Sequence, residues 1–88
     1  MIVRFWEARV ANDRLDDAVA WARTVLVPAA LAAGASGVEV VASPADAPTN
    51  NPARVVVLMR WSSTPDFVEP SIDPAFVDRA HAWNFFSV

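Results

Sequence analysis

Apolar and polar residues alternate from the second position of the chain. Residues 2–10 place Ile2, Arg4, Trp6, Ala8 and Val10 on one face of an extended segment and Val3, Phe5, Glu7 and Arg9 on the other, which predicts a first strand. The period then changes. Asn12 or Asp13 offers a helix cap, Asp16 and Asp17 fall in the favourable first turn, and Leu15, Val19, Ala22, Leu26, Ala29 or Ala30, and Ala33 form an apolar stripe at helical spacing, flanked by Trp21 and Val25. Pro28 interrupts this stripe and predicts a kink, or a break with a second short helix opening at the proline. Gly34 stands where a left-handed cap would end the helix, and Gly37 leads into a second strand over 38–42. Residues 43–53, with three prolines and two asparagines, read as an exposed, mobile hairpin loop.

Val55 to Met59 is an unbroken apolar run between Arg54 and Arg60-Trp61. It predicts a third strand over 54–61 with both faces shielded from water. Val55, Val57, Met59 and Trp61 should meet the helices, and Arg54, Val56, Leu58 and Arg60 a twin sheet. Beyond it Pro65, Pro70 and Pro74 leave room for short helices alone. Asp73 as cap and Pro74 at the first helical position suggest one through 75–79, followed by a fourth strand over 81–88. The order β-α-β-β-α-β is the ferredoxin-like pattern of the α+β class, a four-stranded antiparallel sheet with helices on one face. A single domain of 88 residues has too little helix to cover the second face, so a homodimer is expected.

Composition sharpens this picture. The chain is 55 % hydrophobic with four Trp and five Phe, a large apolar load for its size that favours an oligomer. A net charge of −3 supplies no basic stripe for phosphates, so nucleic acid is not an expected partner. No apolar run approaches the ~20 residues that span a bilayer. The chain enters strand pattern at once, without a leader pattern, so no membrane and a cytoplasmic location are expected. With no cysteine and one histidine, neither a disulfide framework nor a zinc site is expected. All seven cations are arginine and tyrosine is missing, which excludes lysine Schiff-base chemistry and a phenolic acid. Two glycines form no phosphate loop or dinucleotide fingerprint.

The whole chain resembles the dimeric α+β barrel superfamily, and within it the antibiotic-biosynthesis-monooxygenase-like group. The features that carry the resemblance are the strand opening at residue 2, the late Pro28 followed by Gly34 and Gly37, and a third strand closing in Arg60-Trp61-Ser62-Ser63. The resemblance implies a homodimer with facing sheets, an apolar pocket between each sheet and its helices, and activities that include cofactor-independent oxygenation of aromatic polyketides, haem degradation, cyclisation and lactone isomerisation. Haem degradation is disfavoured: the strand-one asparagine of that branch has no counterpart, Asn12 falling after the strand, and His81 lies twenty residues beyond Trp61 where the branch has about ten. The cyclase branch often uses one or two histidines, of which His81 alone is present here.

The candidate site follows from the residues. His81 is the one histidine, the residue type suited to proton transfer at neutral pH, and can move a proton, or else forms a plain edge hydrogen bond. Arg60 can hold a substrate enolate or carboxylate, and Arg4 a structural ion pair with Glu7, Glu39 or a partner-chain carboxylate. Asn84 can orient a carbonyl or make a cross-strand bond. Trp61 and Trp83 can stack on a flat ligand, with Trp6, Phe67, Phe76, Phe85 and Phe86 as further lining; all are also ordinary core residues. The leading expectation is a cofactor-independent enzyme, of monooxygenase type, acting on an aromatic or polyketide-like small molecule with no metal. The alternatives are a cyclase or isomerase of the same fold, or a non-catalytic dimeric module that binds a ligand or a partner. An open pocket shared by Arg60, His81 and Asn84 would favour catalysis, and one filled by tryptophans the module.

Overall fold

The computed structural model describes residues 1–11 and 13–88. Four antiparallel strands, β1 (Ile2–Val10), β2 (Gly37–Ser43), β3 (Arg54–Trp61) and β4 (Val77–Phe86), form one sheet in the order β2-β3-β1-β4. Between β1 and β2 runs one helical element: α1 (Leu15–Trp21), a π-helical stretch (Ala22–Leu26) and α2 (Val27–Ala32). This is an α+β architecture, and its strand order is compatible with a ferredoxin-like fold.

The helix lies on the face that carries Ile2, Trp6, Ala8 and Val10 of β1 and Val55, Val57, Met59 and Trp61 of β3, all buried. The prediction for the inward face of β3 therefore holds at every position. Ala18, Ala22, Leu26 and Ala30 meet them from the helix; Ala33, expected in the stripe, is exposed. These four residues recur every fourth position. In an α-helix of 3.6 residues per turn a four-residue step drifts by about 40°, and the wider π turns unwind that drift to keep the stripe straight. Pro28 explains why the π stretch sits there. Proline has no N–H for the carbonyl four residues back and its ring collides with it, so the preceding turns widen rather than break.

The helix ends as its sequence asked. Gly34 has φ +110, its N–H donates to the carbonyl of Leu31 at 3.1 Å, and that of Ala35 donates to the carbonyl of Ala30 at 3.0 Å. This is a Schellman cap, with buried Ala30 and Ala35 as its apolar contact. The start differs. Arg14 occupies the cap position with no side-chain cap bond, and Asp13 lies in a turn with φ 62; Asn12 lies outside the described residues. Arg14 instead bonds Asp17 at 2.7 Å through Nε. The β2–β3 loop carries its own turn, closed by the Asp46–Asn51 bridge and by a hydrogen bond from the Thr49 hydroxyl to the Asp46 carboxylate at 2.6 Å.

The largest departure lies before β4. No helix forms over 75–79. Asp73-Pro74-Ala75-Phe76 is a single β-turn: the N–H of Phe76 donates to the Asp73 carbonyl at 2.9 Å, and that of Ala75 to the Asp73 carboxylate at 2.8 Å. Asp at the first and Pro at the second position is a turn signature as much as a helix start. Pairing of Val77 with Val10 then draws the chain into β4 four residues before the expected strand. In place of a second helix, residues 62–76 cross the helix side of the sheet as an irregular strap. Phe67, Ile72 and Phe76 of the strap pack on the core.

Candidate functional site

Strand register sorts the candidate residues of the sheet onto one of two faces. On the helix face, Arg4 stands between Met59 and Asn84, and Trp6 between Val57 and Ala82. On the open face four rungs run across β2, β3, β1 and β4: Gly37, Arg60, Val3 and Phe85; Glu39, Leu58, Phe5 and Trp83; Val41, Val56, Glu7 and His81; and Ser43, Arg54, Arg9 and Arg79.

The helix face is largely filled, with a shallow cleft of about 220 Å³ left between Glu69–Ile72 of the strap and Ala80–Ala82 of β4, floored by Trp6. Trp6 and Trp61 are each 4 % exposed, with Trp6 against Trp21 at 5.6 Å and Trp61 against Phe67 of the strap at 5.5 Å between ring centroids. The Trp61 indole N–H is buried without an acceptor, an arrangement that costs about 1–3 kcal/mol. Phe76 carries the Arg14 guanidinium 4.5 Å above its ring. Over Met59 sits a polar knot. Arg4 forms a two-pronged ion pair with Glu69 of the strap, its Nη2 reaching Oε2 at 3.1 Å, and its Nη1 donates to Asn84 Oδ1 at 3.0 Å. Arg4 thus has the ion pair expected of it, but its acid is Glu69 rather than Glu7 or Glu39. Asn84 makes its cross-strand bond. Glu69 was not legible beforehand: it follows Val68 in a proline-rich segment 65 residues from Arg4, and no spacing links the two.

The open face carries the remaining candidates. The His81 ring meets Trp83 at 5.5 Å with a 36° tilt, and Phe5 meets Trp83 at 5.8 Å and Phe85 at 6.1 Å. Trp83 is 46 % and Phe85 57 % exposed. Val3, Phe5, Val41, Val56, Leu58, Trp83 and Phe85 form one continuous apolar band across the sheet, with Arg60 at one corner and the charged rung at the opposite end. Arg60 and His81 share this face but not a site: two strand spacings and four residues along the strand separate their backbones by roughly 17 Å. Asn84 is on the other side of the sheet. The structure therefore brings His81 to Trp83, and Asn84 to Arg4, but does not gather His81, Arg60 and Asn84 around one pocket.

A sheet with one covered and one open face defines the class as a two-layer α+β protein, and no helix of the described residues is long and apolar enough to cross a membrane. Comparison with known proteins finds no matching family model, and no match among curated proteins or solved structures.

Proposed function

We propose that the protein is a homodimeric binding module of the dimeric α+β barrel kind. Two sheets face each other across the rung of Leu58 and Phe5 and its apolar neighbours, and a planar aromatic molecule binds at the β4 edge of that contact. The observation that supports this best is the contrast between the faces. Trp6 and Trp61 fill the helix side, whereas Trp83 and Phe85 stand exposed on the other. A continuous apolar band of that kind marks an interaction surface. A two-fold contact needs a patch complementary to itself, and an apolar band with its charges at the margins meets that need. Trp83, half exposed at the edge beside His81, offers a flat surface for an aromatic ring.

A catalytic second reading rests on that same pair. His81 beside an aromatic platform is a proton-transfer group next to a place where a phenol or quinol would lie. In a cofactor-independent monooxygenase the substrate supplies the electrons: the deprotonated quinol reacts with oxygen, and the protein contributes binding and proton movement. A titration of 1,4-naphthohydroquinone followed by tryptophan fluorescence, run beside an oxygen electrode, separates the readings. The module predicts saturable quenching, abolished in Trp83→Ala, with oxygen uptake no faster than autoxidation. Uptake above that rate that is lost in His81→Ala would replace the module by the oxygenase. Turnover under strict anaerobiosis would leave a cyclase or isomerase.

A further inference from the structure

At the charged end of the open face, three strands each contribute an arginine to one rung. Arg9 of β1 stands directly opposite Arg54 of β3 on one side and Arg79 of β4 on the other. Like charges placed directly across a sheet oppose its pairing, so the rung works against the fold that carries it. It is not a sample of a basic surface: the chain is acidic, with a net charge of −3 and seven arginines in all. The ion pairs among the described residues join Arg4 to Glu69 and Arg14 to Asp17; none involves the rung.

The rung also has a shape. It floors a cleft of about 150 Å³, with Glu7 and His81 on the next rung and Asn51 and Pro52 of the β2–β3 loop as a wall. Three arginines against one glutamate leave this cleft positive. Guanidinium groups carry several N–H donors in a planar fork that matches the oxygens of carboxylate and phosphate. A neighbouring cleft of about 580 Å³ shares Arg9, Asn51 and Pro52 and adds Asp46 and Asp78, so the arginine cleft has room for the charged head group of a ligand and the positive charge is confined to the rung.

We propose that the Arg54–Arg9–Arg79 rung is a binding site for a small oxyanion, the carboxylate or phosphate group of a ligand. The site goes beyond the binding function proposed above and borders it at His81; the three arginines themselves lie outside the apolar rows of the suggested dimer contact, so the anion response is read independently of that function. The opposed charges make the proposal testable in a way that a merely structural role is not. Removing one arginine should leave the ligand-free protein as stable or more stable, yet abolish its response to the anion.

Thermal unfolding of the full chain reads both effects. Phosphate, acetate and benzoate are compared with chloride at matched ionic strength, for the unmodified protein, Arg9→Gln and Arg79→Gln. The expected result is a saturable rise of several degrees in Tm with at least one oxyanion over chloride. In chloride, Arg9→Gln should match or exceed the unmodified protein, and it should lose the rise; Arg79→Gln, on the exposed edge strand, should reduce it. A larger rise with phosphate assigns the site to phosphate ligands, and a larger rise with the carboxylates to organic acids. Equal shifts with chloride, a phosphate rise that survives in Arg9→Gln, or a lower Tm of Arg9→Gln in chloride would each overturn the proposal.

Discussion

Replacing Glu69 by methionine tests whether the strap is pinned to the sheet by charge. The substitution leaves the Arg4 guanidinium, 17 % exposed in its side chain, with Asn84 Oδ1 as its remaining partner. Removing one member of a well-buried pair costs about 3–5 kcal/mol. Residual solvent access and the Asn84 bond lower that, and about 2–3 kcal/mol is expected here. For a domain of this length each kcal/mol shifts Tm by about 4–8 °C, so Glu69→Met should melt roughly 10–20 °C lower. The assay is urea unfolding followed by tryptophan fluorescence, completed as a double-mutant cycle with Arg4→Met. The Arg4→Met/Glu69→Met double variant, which removes both charges and keeps the volume, should return to within about 1 kcal/mol of the parent. A cost below about 0.5 kcal/mol for Glu69→Met, or strictly additive singles, would refute the idea that this pair closes the helix face.

Three further outcomes are expected. Gly34→Ala should cost about 1–2 kcal/mol, entirely through backbone conformation, since a Cβ at Gly34 meets nothing within 4 Å; an unchanged denaturation midpoint would contradict the Schellman cap. Trp61→Phe removes a buried donor without an acceptor and keeps an aromatic ring in the core, so calorimetry should find it within about 1 kcal/mol of the parent; a loss near the roughly 3–5 kcal/mol of a truncation to alanine would contradict the cost assigned to the indole N–H. Pro28→Ala supplies the missing N–H, and backbone hydrogen exchange should show protection at position 28 and a tighter helix over 22–26; a π stretch that persists unchanged would remove the proline as its cause.

The strands were legible where one periodicity ruled. The alternation of 2–10 gave β1 and its two faces, though not which of them is buried, and the run of 55–59 gave β3 with its inward face, because a period of two leaves no freedom once one face is buried. The helix was legible in extent, and its cap at Gly34 in kind, but not its π stretch, which depends on how widening accommodates Pro28 against a fixed sheet. The missing second helix came from an ambiguity: Asp73-Pro74 opens a turn as readily as a helix, and pairing with β1 decided between them. The grouping of the candidate residues depends on strand register. His81 and Asn84, three apart in one strand, fall on opposite faces by the period of two alone, but only the register shows that Asn84 pairs with Arg4 and that His81 lies two strands from Arg60. The arginine rung is invisible in the linear chain, because Arg9, Arg54 and Arg79 come from three strands.

The proposal that the open face pairs with a second copy is tested most directly by sedimentation velocity of the parent and of Leu58→Arg. Leu58 lies at the centre of the apolar band, between Glu39 and Phe5, and its side chain makes no part of the helix face. The parent should sediment at twice the monomer mass at micromolar concentration, and Leu58→Arg as a folded monomer with unchanged far-ultraviolet dichroism. A parent that remains monomeric at the highest concentrations, or a Leu58→Arg variant that still dimerises, would contradict the pairing of the two sheets.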